Sequence, residues 1–141
     1  MTAIHITPGG EDFEALKLTH ADGPEMLALA RLTQPGPFAE RTHELSAFIG
    51  TKQDGRLVAM AGERMKMDGF SEVSGVCTHP DFRGRGYAAG LMRLVARRIH
   101  ARGDAAFLHT YADNQVAIDL YKSLGFEYRA ALTATVLKLT I

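Results

Sequence analysis

Three consecutive segments of this chain have the character of β-strands, and the dipeptides between them favour tight hairpins. The segments are Phe48 to Lys52, Leu57 to Met65 and Ser71 to Thr78, separated by Asp54-Gly55 and by Asp68-Gly69. An Asp-Gly pair readily adopts the left-handed backbone of a two-residue hairpin turn, which fits the twist of the flanking strands. The pattern predicts three consecutive antiparallel strands, and this meander constrains the fold more than any other feature.

The chain then changes period at a glycine-rich turn, Arg83 to Gly86. After the turn, Met92, Val95 and Ile99 recur at helical spacing, with arginines on the opposite face. The segment from Ala105 to Tyr111 is the next predicted strand, and it is reached through that helix. A strand–helix–strand crossover produces a parallel pair, so the complete sheet is expected to be mixed.

The flanking segments complete the predicted order β-α-α-β-β-β-α-β-α-β-β. They are a strand at Leu16–Leu18, a helix starting near Asp22, a short helix at Ala39–Leu45, a helix from Asp113 or Asn114 to Gly125, and final strands at Glu127–Ala131 and Thr133–Leu139. We therefore expect an α/β (α+β) fold with a mixed, mostly antiparallel sheet of six to seven strands and about four helices. Residues 1–14 are expected to be a flexible N-terminus, and residues 15–141 a single domain.

Composition narrows the class of protein. Lys plus Arg and Asp plus Glu both total 16, so the formal net charge is zero, which argues against a nucleic-acid-binding platform. Cys77 is the single cysteine, so no internal disulfide forms, and a cytoplasmic location is expected. No apolar run reaches the roughly 18 residues that span a bilayer, so no membrane association is expected. The six histidines are scattered, without metal-ligand spacing on one element, so no metal is expected.

The glycine-rich turn has the chemistry of a phosphate site. The amides of the first helical turn have no partner inside the helix, and the helix dipole adds positive potential there. Gly84 and Gly86 allow the backbone to approach an anion closely, because they carry no Cβ. Arg83 and Arg85 add positive charge beside it. The turn is therefore predicted to bind a phosphorylated ligand.

Two other phosphate motifs fit less well. Gly84 to Ala89 matches G-x-G-x-x-A, a dinucleotide fingerprint, but that fingerprint follows the first strand of a parallel unit and not an antiparallel meander. The acidic residue expected after the next strand is also missing, since His109-Thr110-Tyr111 stands there. No Gly-Lys-Ser/Thr follows, so a P-loop is excluded. A dinucleotide-binding redox domain is therefore disfavoured.

Two motifs resemble the signatures of the GNAT N-acetyltransferase superfamily, and the nearest subgroup is the FR47-like acetyltransferases. Arg83-Gly84-Arg85-Gly86-Tyr87-Ala88 is similar to R/Q-x-x-G-x-G/A, with alanine in place of the commoner final glycine. Asn114, Ala117, Tyr121 and Leu124-Gly125-Phe126 are similar to N-x-x-A-x-x-x-Y-x-x-x-G-F. The resemblance implies transfer of an acetyl group from acetyl-CoA to a primary amine of a small molecule or peptide. A non-catalytic CoA-binding sensor or regulatory module of the same fold is the alternative, and a homodimer is left open.

The resemblance also implies roles for individual residues in holding the cosubstrate. The strand before the turn lends main-chain groups to pantetheine, the turn meets the pyrophosphate, and the later helix contacts the cofactor arm. The corresponding residues are Val76, Cys77 and Thr78 for pantetheine, Arg83, Gly84, Arg85, Gly86, Tyr87, Ala88 and Ala89 for the pyrophosphate, and Asn114 for the arm. Cys77 is alternatively a small buried hydrophobic residue, and Asn114 a helix cap.

Catalysis needs a base for the amine and an acid for the departing thiolate. Tyr121 has the position that the family often uses for the acid, and it is alternatively a packed aromatic residue. Glu72 and His109 are both candidates for the base, and either could act directly or through water. The alternative for Glu72 is a structural pair with Arg64. The alternative for His109 is a polar strand residue whose hydrogen bonds are satisfied. Alternation places Phe107 and His109 on one face of their strand. The candidates for acceptor binding are Phe38, Arg41 and Thr42.

Overall fold

The computed structural model describes residues 1–10 and 13–140 and contains one six-stranded sheet with three α-helices. Glu11, Asp12 and Ile141, which belong to the two predicted ranges, lie outside the described residues. In chain order the elements are β1 (Thr2–Ala3), β2 (Leu16–Lys17), α1 (Gly23–Thr33), β3 (Ile49–Gln53), β4 (Arg56–Met67), β5 (Phe70–Thr78), α2 (Tyr87–Ala101), β6 (Ala105–Phe107) and α3 (Gln115–Ser123), with short 3-10 turns at His20–Asp22, Thr42–Glu44 and Pro80–Phe82.

The meander and the crossover are confirmed. Strands β3, β4 and β5 are consecutive antiparallel neighbours, and β6 pairs in parallel with β5 across α2. The spatial order is β1-β6-β5-β4-β3-β2. Asp54 and Gly55, between β3 and β4, have φ values of 50° and 77°. These left-handed conformations are the ones that the Asp-Gly turn was expected to supply.

The sheet opens between β5 and β6. Their parallel ladder ends where Glu72 pairs with Phe107, whereas β5 continues to Thr78. Within the part of the chain that the structure describes, this side of β5 has no further strand partner. The main-chain groups along the second half of β5 therefore form an open edge, which a ligand can use as an added strand would.

A bulge kinks β5 at the start of this open edge. Between the Met60–Cys77 pair and the Gly62–Ser74 pair, β4 advances by two residues and β5 by three. Gly75 lies inside the bulge with φ of 66°, and a Cβ there would come 2.8 Å from the ring of Phe48. Glycine is required at this position on both counts, because the backbone is left-handed and the ring is close.

Each face of the sheet buries its own apolar cluster. Helix α2 covers one face, where Leu91, Val95 and Ile99 are fully buried together with Val73. Helix α1 covers the other face, where buried side chains from the helix, from β4 and β5 and from the residue before β3 pack together: Met26, Leu29, Met60, Cys77 and Phe48. The two helices thus cover the central strands from both sides.

The ends of the chain differ from the predictions. The flexible N-terminus is wrong for Thr2–Ala3, which pair with β6, and Ala3 is only 2% exposed. The segments Glu127–Ala131 and Thr133–Leu139 form no strand in the described chain, and only a single bridge joins Glu127 to Thr2. The physical reason is that β1 already occupies the outer edge of β6, so the C-terminal sequence cannot pair there, and its pairing with β1 is limited to the bridge at Thr2.

Two internal elements are shorter than predicted. Strand β6 ends at Phe107 and not at Tyr111, because the chain diverges from β5 after that point. The helix expected at Ala39–Leu45 is reduced to the 3-10 turn Thr42–Glu44. The Thr42 hydroxyl accepts a hydrogen bond from the Ala39 amide at 2.8 Å, a local contact that favours a turn over a helix. The structure therefore has three α-helices where about four were expected.

Candidate active site

The glycine-rich turn presents an accessible helix N-terminus. Gly84 and Gly86 have φ values of 75° and 80°, and a Cβ on either would meet nothing within 4 Å. Gly86 is the N-cap residue of α2 and provides no side-chain cap, so the first amides of the helix face open space. Arg85 lies over the ring of Phe82, with its guanidinium carbon 4.9 Å from the ring centroid. The helix begins at Tyr87, directly after the turn, as predicted.

Tyr87 is oriented by a residue that the sequence did not indicate. Its hydroxyl accepts a hydrogen bond from Nε2 of Gln53, at the end of β3, at 3.0 Å. Tyr87 and Ala89 are partly buried against the cluster under α2. The contact ties the start of α2 to the sheet, so the turn is held by a fixed platform. A long-range contact of this kind leaves no signal in the local sequence.

The open edge of β5 includes the three predicted pantetheine residues. Cys77 is 7% exposed, and burial raises the pKa of its thiol to about 11 although a hydrogen bond from Thr33 opposes this shift. A thiol with that pKa is protonated at neutral pH and is a poor nucleophile. Thr78 has a buried hydroxyl oxygen without a hydrogen-bond partner among the described residues. Val76 is partly buried against the cluster under α2.

The two candidate bases are in direct contact. Nδ1 of His109 lies 2.8 Å from Oε1 of Glu72, and the rings of His109 and Phe107 lie 5.7 Å apart, on one face as predicted. Arg64 donates two hydrogen bonds to Glu72, from Nε at 2.9 Å and from Nη2 at 2.8 Å. The amide of Met65 donates a further one at 3.2 Å. Glu72 is therefore a well-satisfied anion that pairs with Arg64, as the alternative for this residue expected, but it is buried.

The charge state of Glu72 determines the tautomer of His109. Burial alone would raise the pKa of Glu72, but the hydrogen bonds from Arg64 and His109 outweigh it and hold the pKa below its usual value. An ionised carboxylate only accepts, so Nδ1 of His109 is the donor in this contact, and in the neutral ring Nε2 is then the acceptor. The His109 side chain is 42% exposed and Glu72 is 2% exposed, so the imidazole faces the solvent side of the pair.

Helix α3 carries the other two candidates. The ring of Tyr121 packs edge-to-face on Phe126 at 6.3 Å, and burial raises the pKa of its hydroxyl. Tyr121 is therefore a packed aromatic residue that also retains its proton at neutral pH. Asn114 caps the helix, since its Oδ1 accepts from the Ala117 amide at 3.2 Å. This is the structural role that the sequence left as the alternative for Asn114.

The three acceptor candidates have different surroundings. Phe38 packs edge-to-face on Phe48 at 5.8 Å, and its ring lies 3.8 Å from the position of a Cβ on Gly75. It therefore borders the bulge in β5. Arg41 is exposed and pairs with Glu44 at 2.7 Å. The hydroxyl of Thr42 accepts the local hydrogen bond from the Ala39 amide. Only Phe38 is thus brought next to the open strand by a contact in the structure.

A family model matches most of the chain. The family is described as FR47-like protein, and the match covers residues 40–135. This range includes the meander, the glycine-rich turn, the His109–Glu72 pair and all of α3. It leaves out α1 and the first two strands.

Individual relatives agree with this match. A mycothiol acetyltransferase from Streptomyces avermitilis is 27% identical over 131 residues, which cover 89% of this chain and 42% of the relative. The crystal structure of a putative GNAT-family acetyltransferase from Novosphingobium aromaticivorans has 50% identity and a TM-score of 0.86, covering 91% of this chain and 58% of that chain. The aminoglycoside N-acetyltransferase AAC(6')-Iy, solved in complex with CoA, shares the fold at 18% identity with a TM-score of 0.72, covering 89% of this chain and 100% of that chain.

The chain spans about half the length of the first two of these relatives. In residues 1–10 and 13–140, no helix is both long enough and apolar enough to cross a bilayer.

Proposed function

Because this chain belongs to the FR47-like family of GNAT acetyltransferases, we propose that it transfers an acetyl group from acetyl-CoA directly to a primary amine of a small molecule or peptide. One observation carries the proposal. The open edge of β5 runs from the His109–Glu72 pair at one end to the glycine-rich turn at the other. Acetyl-CoA is a long molecule with a reactive thioester at one end and phosphates towards the other. The His109–Glu72 pair suits the thioester end, and the glycine-rich turn suits the phosphates.

The turn and the strand bind the cosubstrate in this proposal. Pyrophosphate oxygens accept hydrogen bonds from the first amides of α2, where Gly84 and Gly86 leave open space, while Arg83 and Arg85 supply positive charge. The edge from Val76 to Thr78 pairs with the amide groups of pantetheine, because strand addition uses main-chain donors and acceptors. Acetyl-CoA supplies the activated acyl group, and the protein binds and orients it.

His109 is the general base of the proposed reaction. Its Nε2 accepts a proton from the ammonium form of the acceptor, which frees the nitrogen lone pair to attack the thioester carbonyl. Glu72 is a positioning residue, because it fixes the tautomer and stabilises the imidazolium that forms. Glu72 itself is a poor base, since its pKa is held low by Arg64 and His109, and burial opposes this shift.

Groups of β5 and α3 stabilise the two negative charges that develop, one on the oxyanion and one on the departing thiolate. A main-chain amide from the kinked segment around Gly75 faces the oxyanion of the tetrahedral intermediate, an interaction worth about 3 kcal/mol in comparable sites. Tyr121 donates its proton to the departing thiolate and recovers a proton from the acceptor nitrogen, which loses its second proton as the amide forms. Burial keeps the tyrosine hydroxyl protonated before that step, because it raises the pKa of the group.

An amine screen tests the proposed function. Release of free CoA thiol from acetyl-CoA is measured with amino acids, polyamines and peptide N-termini as acceptors, for the wild-type chain and for His109→Gln. His5→Gln is the control, because His5 is an exposed histidine far from Glu72 in the chain. We expect at least one amine to accelerate thiol release in the wild type and in the control, and the acceleration to be about 100-fold or more weaker in His109→Gln. Acetyl-CoA binding with no acceleration by any amine would instead indicate the sensor or regulatory alternative.

A further inference from the structure

Two 3-10 turns outside the proposed active site bring metal-ligating side chains together. His20 belongs to the turn His20–Asp22, while His43 and Glu44 belong to the turn Thr42–Glu44. One donor atom from each of these three residues lies within 4.8 Å of the others. The two histidines looked scattered in the sequence because the contact joins separate elements. We propose that His20, His43 and Glu44 bind a divalent transition-metal ion with the ligand preferences of Zn²⁺.

The positions of the two imidazoles fit a shared ion. Nδ1 of His20 and Nε2 of His43 are 3.0 Å apart. Two histidine nitrogens on one tetrahedral zinc, each about 2.05 Å from it, lie about 3.3 Å apart. The ring centroids are 5.1 Å apart and the rings are inclined by 41°. Rings bound edge-on to the same zinc have centroids about 5.2 Å apart. The two nitrogens therefore need to move apart by only a few tenths of an ångström to bind the same ion.

Glu44 can supply the third ligand without giving up its partner. Both hydrogen bonds from Arg41 end on Oε2 of Glu44, at 2.9 and 2.7 Å. Oε1 is not used by Arg41 and is the oxygen left for the ion. A His₂Glu set is a ligand combination that zinc accepts, with a fourth position for water or another side chain. Arg41 then serves as the outer partner that orients the ligating carboxylate.

The surroundings of His43 hold its ring in place. A Cβ on Gly23, the first residue of α1, would lie 3.0 Å from Cε1 of His43, so a larger residue would displace the ring. Nδ1 of His43 is buried and has no hydrogen-bond partner in the described part of the chain. The contact with His20 thus leaves the ring only partly satisfied, which is uncommon for a buried polar group.

There is room for the ion and for further ligands. His20, Gly23, Pro24 and His43 line a cavity of about 380 Å³ that also includes Glu40. A water molecule in this cavity is available for the fourth position. Binding would join the turn before α1 to the segment that carries Phe38, so the ion would fix this segment against the sheet.

Zinc titration of chelator-treated protein tests the site. Binding is measured by calorimetry and by competition with a chromophoric chelator, and thermal unfolding is followed with and without ZnCl₂. The wild type is expected to bind one equivalent and to unfold at a higher temperature with zinc. His20→Gln and His43→Gln should each weaken binding by about 100-fold or more, since even residues that only support a ligand change affinity by 10–100-fold.

Two further variants keep the test decisive. His5→Gln, at an exposed histidine outside the cluster, should bind zinc as the wild type does. Glu44→Gln keeps the size of the side chain and should weaken binding even if a histidine variant folds poorly. Equal zinc affinity in all variants, or no binding by the wild type, would overturn the proposal.

Discussion

Nδ1 of His109, just after β6, lies 2.8 Å from Oε1 of Glu72 in β5. The parallel register of β5 and β6 creates this contact, because Glu72 pairs with Phe107, two residues before His109. Arg64, in β4, donates a hydrogen bond to each oxygen of the same carboxylate. Three neighbouring strand regions therefore cooperate to orient one imidazole at the point where the sheet opens.

The pH dependence of turnover should report on this pair. We expect His109→Gln to lower kcat/KM by about 100-fold or more and to remove the acidic limb of the pH–rate profile. Glu72→Gln should lower kcat/KM less than His109→Gln does and should retain an acidic limb, because it leaves the imidazole in place. Steady-state rates across pH 5 to 9 provide the measurement. An unchanged limb in His109→Gln would show that another group is the base.

Acetyl-CoA affinity should depend on the backbone at Gly86. Gly86→Glu places a carboxylate at the head of α2 and should weaken acetyl-CoA binding by more than about 100-fold, as measured by calorimetry. Gly103→Glu is the matched control, since Gly103 also has a left-handed φ, 88°, and open space beyond it, but lies after the other end of α2. Equal loss of affinity in both variants would indicate backbone strain and not a phosphate site.

Tyr121→Phe should separate turnover from binding. If the hydroxyl donates a proton to the thiolate, kcat falls by about 10–100-fold while acetyl-CoA affinity stays near the wild-type value. The packing on Phe126 is preserved in this variant, so folding should be little affected. The measurement is kcat together with the dissociation constant of acetyl-CoA. Wild-type turnover would remove Tyr121 from the mechanism.

Cys77 should prove dispensable for chemistry. Its thiol is buried and its pKa is raised to about 11, so thiol-directed reagents should react slowly in the folded protein at neutral pH. Cys77→Ala should retain turnover and lose about 1 kcal/mol of stability, because it removes one buried atom from the cluster under α1. Denaturant unfolding and the thiol-release assay measure the two effects. Loss of turnover in a stably folded variant would contradict this account.

Acid should destabilise the fold through two buried carboxylates. Glu63 and Glu72 both have a pKa below the ordinary 4.5, because nearby arginines outweigh burial in each case. A group with a lowered folded-state pKa stabilises the protein above its unfolded pKa, and the contribution is lost as pH falls through the folded value. The free energy of unfolding should therefore decline as pH drops below about 4.5. Glu63→Gln should flatten that decline, as followed by denaturant unfolding at several pH values.

Local signals explain which parts of the fold the sequence could predict. Asp54-Gly55 and the pair Gly84 and Gly86 need left-handed backbone, and the structure has it at all four residues. The start of α2 at Tyr87 follows from the same local chemistry. These elements depend on neighbours in the chain, so residue type and spacing are sufficient to locate them.

Non-local pairing explains the failures. The C-terminal segment Thr133–Leu139 alternates as a strand does, but a strand forms only where it pairs with another strand, and Thr2–Ala3 pair with β6 instead. In the same way, the sequence offered Glu72 and His109 as competing bases because they are separated by 37 positions. Only the register between β5 and β6 shows that they touch. The roles of Gln53 and Arg64 likewise depend on contacts across the sheet.

A crystal structure of the chain with bound acetyl-CoA tests the central claim most directly. The account predicts pyrophosphate oxygens within hydrogen-bond distance of the first amides of α2, pantetheine paired along the β5 edge at Val76 to Thr78, and the thioester beside Nε2 of His109. A pyrophosphate bound away from Gly84 and Gly86, or a thioester remote from His109, would contradict it.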